Sequence, residues 1–354
     1  MKTFKYDLMS PTSMGVRITP TDRQPIETSH LFEMQATSAE SNVLNVSASL
    51  GLKTKVLTKF VEDSAISRFI KHELGRRHID FEGISVPQGG PWGYRHQFNI
   101  ADSGFAYRGP RVQNDRAGEV GRTLSTDDFD LKRILEDEGV KYLHLSGLIA
   151  SLSKETSDFC LTLAKQAKAQ GSKISFDLNY RASFWKGRDK ELRAIFHEIA
   201  SISDILIGNE EDFQLCLGIE GPKAGGKDIH GQIDRFKDMM LNVKKQYPSV
   251  DVFATTLREV VNANEHLWGA VVLNHGTWTV LEPKPILVYD RIGGGDGFVG
   301  GLLYGLISGF EPEKVVQFAW ATGALAASVK EDYATPVDEA QVWNIYQGNA
   351  RVER

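Results

Sequence analysis

The chain has 354 residues, 41% of them hydrophobic and 25% charged, and a formal net charge of −5. That length supports a full hydrophobic core, in one large α/β domain or two smaller ones, without disulfide or metal staples. The composition excludes disordered, collagen-like and disulfide-scaffold classes, and the slight acidic surplus argues against nonspecific nucleic-acid binding, which needs a basic face.

In chain order, the first third carries short polar strand patterns over 14–19, 30–36 and 92–100, a strand over 55–60, and helical patterns over 42–50 and 63–77. Polar, alternating strands predict a small sheet with one face in solvent, placed as a lid within residues 14–36 and 85–124. From Lys141 the pattern changes. Strand-length apolar runs over 142–146, 174–177, 204–207, 250–256 and 286–289 alternate with helical stretches such as 153–170 and 188–201. This alternation predicts an α/β fold with a doubly wound, mostly parallel sheet flanked by helices. Beyond Tyr289 the chain reads as entirely helical, and Gly218–Gly231, rich in glycine and charge, reads as a surface excursion. The most apolar stretch, Gly297–Phe310, has 14 residues including five glycines, too short to span a bilayer. Cys160 and Cys216 lie outside any C-x-x-C spacing and fit a reducing compartment. A cytoplasmic protein without membrane or nucleic-acid partners is expected.

The sharpest motif is Asp290-Arg-Ile-Gly-Gly-Gly-Asp296. A strand is expected to end at Asp290 and a helix to begin near Asp296, with Phe298, Val299, Leu302 and Leu306 on its apolar side. Backbone N–H groups of Gly293, Gly294 and Gly295, leaving a turn at a helix N-terminus, make an anion site. The Asp296 carboxylate beside them is placed to act as a general base. The plainer alternative is a tight turn with an N-capping aspartate. Two other strand ends are polar. Asn209-Glu210-Glu211-Asp212 offers acids for Mg²⁺ held through water, or merely acids at the positive end of a helix. Asp177-Leu-Asn-Tyr-Arg181 offers an arginine for a carboxylate or phosphate, or a surface ion pair. Ligands of open α/β sheets bind beyond the carboxyl ends of the strands, where all three motifs fall. Gly295–Gly300 formally matches G-x-G-x-x-G, but the βαβ unit that should follow is missing. Gly221–Lys227 nearly matches a P-loop, but Asp228 replaces the Ser/Thr and no strand precedes it.

Together these motifs resemble the ribokinase-like (PfkB) carbohydrate kinases. Asp290–Asp296 is similar to their D-T-x-G-A-G-D signature, with Arg291 for threonine and Gly294 for alanine. Asn209–Asp212 is similar to N-x-x-E, with a shorter acid. Phe176–Arg181 resembles the F-D-x-N-Y-R stretch of 2-keto-3-deoxygluconate kinases, and Asn114–Gly118 their arginine-bearing substrate segment. The resemblance implies a ribokinase-like fold with a β-sheet lid, ATP and Mg²⁺ as cosubstrates and a keto-acid sugar as acceptor, with dependence on a monovalent cation left open; an exposed edge of the lid sheet points to a homodimer or larger homo-oligomer. It implies Asp296 as base and Gly293, Gly294 and Gly295 as anion hole. Asn209 and Thr256 would meet ATP, and Asp212 would meet Mg²⁺ through water. Asn42, Tyr94, Arg116, Asp177 and Arg181 would meet the substrate. Departures surround the sugar: Thr37-Ser38 stand for two glycines, Thr12-Ser13 for Gly-Glu, and Glu119-Val120 for Ser-Ala, while Arg258 ends a T-L-G. A kinase for another sugar, a non-catalytic sugar-binding relative and a nicotinamide oxidoreductase are the rival readings.

Overall fold

The computed structural model describes residues 4–223 and 229–351. Strands β1 (Tyr6–Pro11), β2 (Gly15–Pro20) and β3 (Phe32–Thr37) precede helix α1 (Ala39–Ser49). Next come β4 (Thr54–Leu57), β5 (Phe60–Val61), α2 (Ala65–Arg76), β6 (Ile79–Glu82), β7 (Ser85–Val86), β8 (Gln97–Ala101) and β9 (Val112–Asp115). Then β10 (Val140–Ser146), α3 (Gly147–Ser151), α4 (Lys154–Ala169), β11 (Lys173–Asp177), α5 (Ala182–Trp185), α6 (Asp189–Ile202), β12 (Ile205–Ile207), α7 (Glu210–Leu217), α8 (Ile233–Gln246) and β13 (Val252–Asn262) alternate. The chain closes with β14 (Glu265–Asn274), β15 (Thr277–Leu287), α9 (Gly294–Ile307), α10 (Pro312–Ala327) and α11 (Glu339–Gln347).

Nine strands form the main sheet in the order β15-β14-β13-β12-β11-β10-β1-β4-β6. Pairing is parallel from β6 to β13, and β13, β14 and β15 pair antiparallel. The inner parallel strands are mostly buried on both faces, as helices on either side require. Along β12, Leu206 packs in one apolar cluster with Leu163 and Phe196 of α4 and α6. Its neighbours Ile205 and Ile207 pack in the other, with Phe298, Leu302 and Phe318 of α9 and α10. That alternation sets the two cores on opposite faces of the sheet. A separate four-stranded sheet runs β3-β2-β8-β9.

Contact between α1 and α9 positions the site. A Cβ at Gly300 would lie 2.6 Å from the Val43 carbonyl oxygen, so only glycine admits α1 this closely. A helical glycine costs about 1 kcal/mol against alanine, and here it brings two backbones together.

Several expected boundaries move. The last strand ends at Leu287, and α9 begins at Gly294 rather than Asp296. Helix α1 begins at Ala39, because Ser38 accepts a hydrogen bond from the Ser41 N–H as its N-cap. The strand expected over 92–100 is confined to Gln97–Ala101. The stretch 252–287 is a three-strand antiparallel meander, of which the sequence pattern marks only the two ends as strands. Of the excursion expected over Gly218–Gly231, and of the near P-loop inside it, residues 224–228 lie outside the described residues. Among the described residues, no helix is long and apolar enough to cross a membrane. Cys160 and Cys216 are buried and free.

Candidate active site

A cavity of about 780 Å³ opens at the carboxyl ends of β11 and β12 and along the middle of β13. Gln97 and Asn99 of β8 and Val112 and Asn114 of β9 line it from the smaller sheet. Asp177, Asn209, Asp212, Thr256, Gly293 and Asp296 line it from the larger one.

Gly293 turns the chain into α9. It adopts φ 86° at the N-cap, and a Cβ there would meet the Asp332 carbonyl oxygen at 1.9 Å. No other residue type fits both constraints. Gly293 and Gly295 line the cavity, whereas Gly294 is buried behind them. Asp296 is the third helical residue and does not cap the helix. Instead its Oδ2 accepts a 2.9 Å hydrogen bond from Asn42 Nδ2, across the α1–α9 contact. Burial pushes the Asp296 carboxyl up to about 7; Asn42 opposes this, and the like charges of Asp332 and Glu40 add to it.

Behind Asn42 runs a buried polar chain. Asn42 Nδ2 lies 3.2 Å from Thr37 Oγ1, which donates to Asp332 Oδ2 at 3.0 Å. Asp332 and Asp290 share the fully buried Arg17 of β2, and Ser103 Oγ donates to Asp290 at 2.6 Å. The smaller sheet is thereby tied to the segments on both sides of the glycine turn.

At the end of β12, Asn209 and Asp212 form a capping box. Asn209 Oδ1 accepts the Asp212 N–H at 2.9 Å, and Asp212 Oδ2 accepts the Asn209 N–H at 2.8 Å. The other Asp212 oxygen accepts the Tyr180 N–H at 2.8 Å. Capping is thus the visible work of this residue. A carboxylate offers about four acceptor positions, so two stay available. Burial raises the Asp212 carboxyl to about 6. Asp177 is raised well above the ordinary range by burial, then by Asp212 and Asp296. Three carboxylates therefore share one negative field.

Arg116 and Arg181 both reach the cavity. Arg116 donates to Glu119 at 2.7 Å, and Glu119 also accepts Ser13 Oγ at 2.6 Å. Arg181 is exposed and donates to the Tyr180 carbonyl at 2.8 Å. Tyr94 does not line the cavity and is 41% exposed. Its N–H closes a loop onto the Gln88 carbonyl, and the side chain is left outward. Arg108 and Arg111 hold Asp102 and Glu27 in ion pairs.

Sequence reasoning does not assign the support residues Arg17 and Asp332 to the site, and it marks Thr37 only as a departure from the family pattern. No local spacing joins them, since they lie far apart in the chain. Arg258 and Arg291, noted only as departures, also line the cavity. The alternation of β13 is the available signal, because it puts Arg258 on the face of Thr256.

Comparison with known proteins bears on the family and the fold. A 2-dehydro-3-deoxygalactonokinase from Haloferax volcanii is 27% identical over 345 residues, covering 96% of each chain. A 2-dehydro-3-deoxygluconokinase from Bacillus subtilis is 25% identical over 302 residues, covering 85% of this chain and 83% of its own. The crystal structure of the 2-dehydro-3-deoxygluconokinase from Thermotoga maritima superposes with a TM-score of 0.87 at 26% identity, covering 97% of this chain and all of that one. Residues 16–339 match the pfkB family carbohydrate kinase pattern. The chain therefore belongs to the pfkB family of carbohydrate kinases, phosphotransferases that use an alcohol group as acceptor.

Proposed function

We propose that this chain transfers the terminal phosphoryl group of ATP to a hydroxyl of a keto-acid sugar, with 2-keto-3-deoxygluconate as the first substrate to try. The single observation that carries this reading is Asp296. It is a cavity-facing carboxylate at a glycine-built helix start, held by Asn42 and shifted to about 7, near the optimum for a base working at neutral pH. Asp296 takes the proton of the attacking hydroxyl as that oxygen bonds to phosphorus. The bond to the bridging oxygen breaks, and ADP leaves. The N–H groups of Gly293, Gly294 and Gly295 offset charge on the transferred group. Asn209 and Thr256 border the nucleotide. Asn42 and Asp177 face the sugar hydroxyls, and Arg116 and Arg181 its carboxylate.

The donor set fits Mg²⁺. Asp212 would hold the ion through water, and the neighbouring Asp177 charge adds to the negative field there. Among the described residues no three metal-ligating side chains cluster, so water and the donor's phosphates would complete the shell. When bound, the ion offsets charge on the phosphates.

A second reading, a pfkB kinase for another sugar, is favoured by the departures. Thr12 Oγ1 lies 2.7 Å from both Ser38 Oγ and Glu40 Oε2, and Glu119 engages Arg116. Side chains thus stand where the family pattern has glycine. ADP release across a panel of sugar acids and neutral sugars separates the two readings. Asp296→Asn should keep MgADP binding and lose about 10²–10⁴-fold in kcat; undiminished turnover would remove Asp296 as base. Exposed Phe32 and Met34 on edge strand β3 support a homodimer or larger homo-oligomer, which light scattering tests. Buried free cysteines and an ATP donor support a cytoplasmic location, and exchange of K⁺ for tetramethylammonium tests monovalent-cation dependence.

A further inference from the structure

Thr256 and Arg258 share one face of β13, and both line the cavity. In register across the hairpin, Arg258 faces Trp268 and Val260 faces His266. Arg291 lines the same wall, two residues before the glycine turn. Two guanidinium-bearing residues thus line one wall of the cavity beside the glycine turn. Among the described residues neither guanidinium has a hydrogen bond or ion pair, unlike those of Arg17, Arg77, Arg116 and Arg188. The groups beside them lack partners as well. His266 Nε2 and Trp268 Nε1 are buried and unbonded, and these two residues are only 3% and 4% exposed. The acid that acts on Arg258 is Glu210. Crowding by the cavity walls, then repulsion from Arg291, lowers the Arg258 guanidinium to about 10. The same two arginines, after burial, help lower His266 to about 4. Like charges held together without a paired counter-ion favour an anion between them, and a guanidinium fork matches phosphate oxygens bidentately.

We infer that Arg258 and Arg291 form a second anion site, distinct from the glycine turn, which grips the phosphates that stay on the donor after transfer. The family pattern has glycine and threonine at these two positions, so this polyphosphate clamp belongs to this chain. The inference rests on the reading that the glycine turn takes the transferred phosphate. Two guanidinium forks on separate segments of the wall fit a linear polyphosphate, which can engage both, rather than a single orthophosphate.

The test is calorimetric titration with inorganic tripolyphosphate, which has no base or ribose, on the full chain. Arg258→Met and Arg291→Met are compared with wild type at two salt concentrations, with melting temperature as the check on folding. Each variant should bind tripolyphosphate about tenfold or more weaker, the range of one charge-assisted contact, and with a shallower salt dependence. Orthophosphate binding should change much less. In turnover, KM for ATP should rise and KM for the sugar should hold. Wild type failing to bind tripolyphosphate, or variants binding within twofold of it, would overturn the clamp. If tripolyphosphate binding falls in the variants but wild type phosphorylates no sugar, the clamp stands and the kinase reading fails. If wild type is active and binding is unchanged in the variants, the kinase reading stands and the clamp fails.

Discussion

Replacing Asn42 by leucine removes the 2.9 Å donor to Asp296 Oδ2 while roughly keeping side-chain volume. Asn42 is 2% exposed, so water does not readily replace the lost bond. A hydrogen bond to a charged group contributes about 1.5–3 kcal/mol. At about 1.4 kcal/mol per pH unit, the Asp296 carboxyl should rise by about one to two units, from about 7. At pH 7 the ionised fraction then falls from about half to about one to ten per cent, and kcat/KM for the sugar falls about 5- to 50-fold. Coupled ADP release from pH 5.5 to 10 reads this directly. The wild-type profile should climb through a midpoint near 7, and the variant should climb later and recover at high pH. A uniform loss with an unmoved midpoint would show that Asn42 acts only on the substrate. A flat wild-type profile would refute Asp296 as base.

Four further outcomes follow from the same geometry. Folding raises the Asp296 carboxyl from its ordinary 3.8 to about 7, so its contribution to stability is full below about pH 4 and is lost as pH rises through 7. Asp296→Asn should therefore raise the melting temperature of the ligand-free protein by about 6 °C at pH 8 and leave it unchanged near pH 4; a constant difference across pH would contradict this. Gly293→Ala forces a Cβ onto the Asp332 carbonyl at a positive φ, and calorimetry should show a loss of more than about 2 kcal/mol. Arg17→Met leaves Asp290 and Asp332 buried without their cation and should cost about 3–5 kcal/mol in denaturant unfolding. Arg181→Gln, at an exposed residue bonded to a neighbouring carbonyl, should leave the melting temperature alone and raise KM for a sugar acid about tenfold; an equal effect with a neutral sugar would break its link to the carboxylate.

Local pattern is enough for much of this protein. The strand–helix alternation from Lys141 onward exposes the parallel sheet, because strands buried on both faces read as continuous apolar runs. Asp290–Asp296 announces itself because a left-handed turn against a carbonyl admits only glycine. Asn209–Asp212 carries both of its readings in four letters, and the structure shows the capping one in its hydrogen bonds. The antiparallel meander of β13, β14 and β15 is only half legible, since tight hairpins join its strands and no helix separates them. Tyr94 is placed in the site by analogy of position alone, and the loop closed onto Gln88 turns it away.

Long-range contacts lie beyond any local pattern. Asn42 meets Asp296 across 254 positions, and Arg17 meets Asp332 across 315. The residues that bear the chemistry advertise themselves through short motifs, because backbone turns and caps are local constraints. The proton affinity of Asp296 is set by burial and by charges from distant segments. The packing of α1 on α9 through Gly300 brings Glu40 within reach, and Arg17 and Thr37 hold Asp332 there.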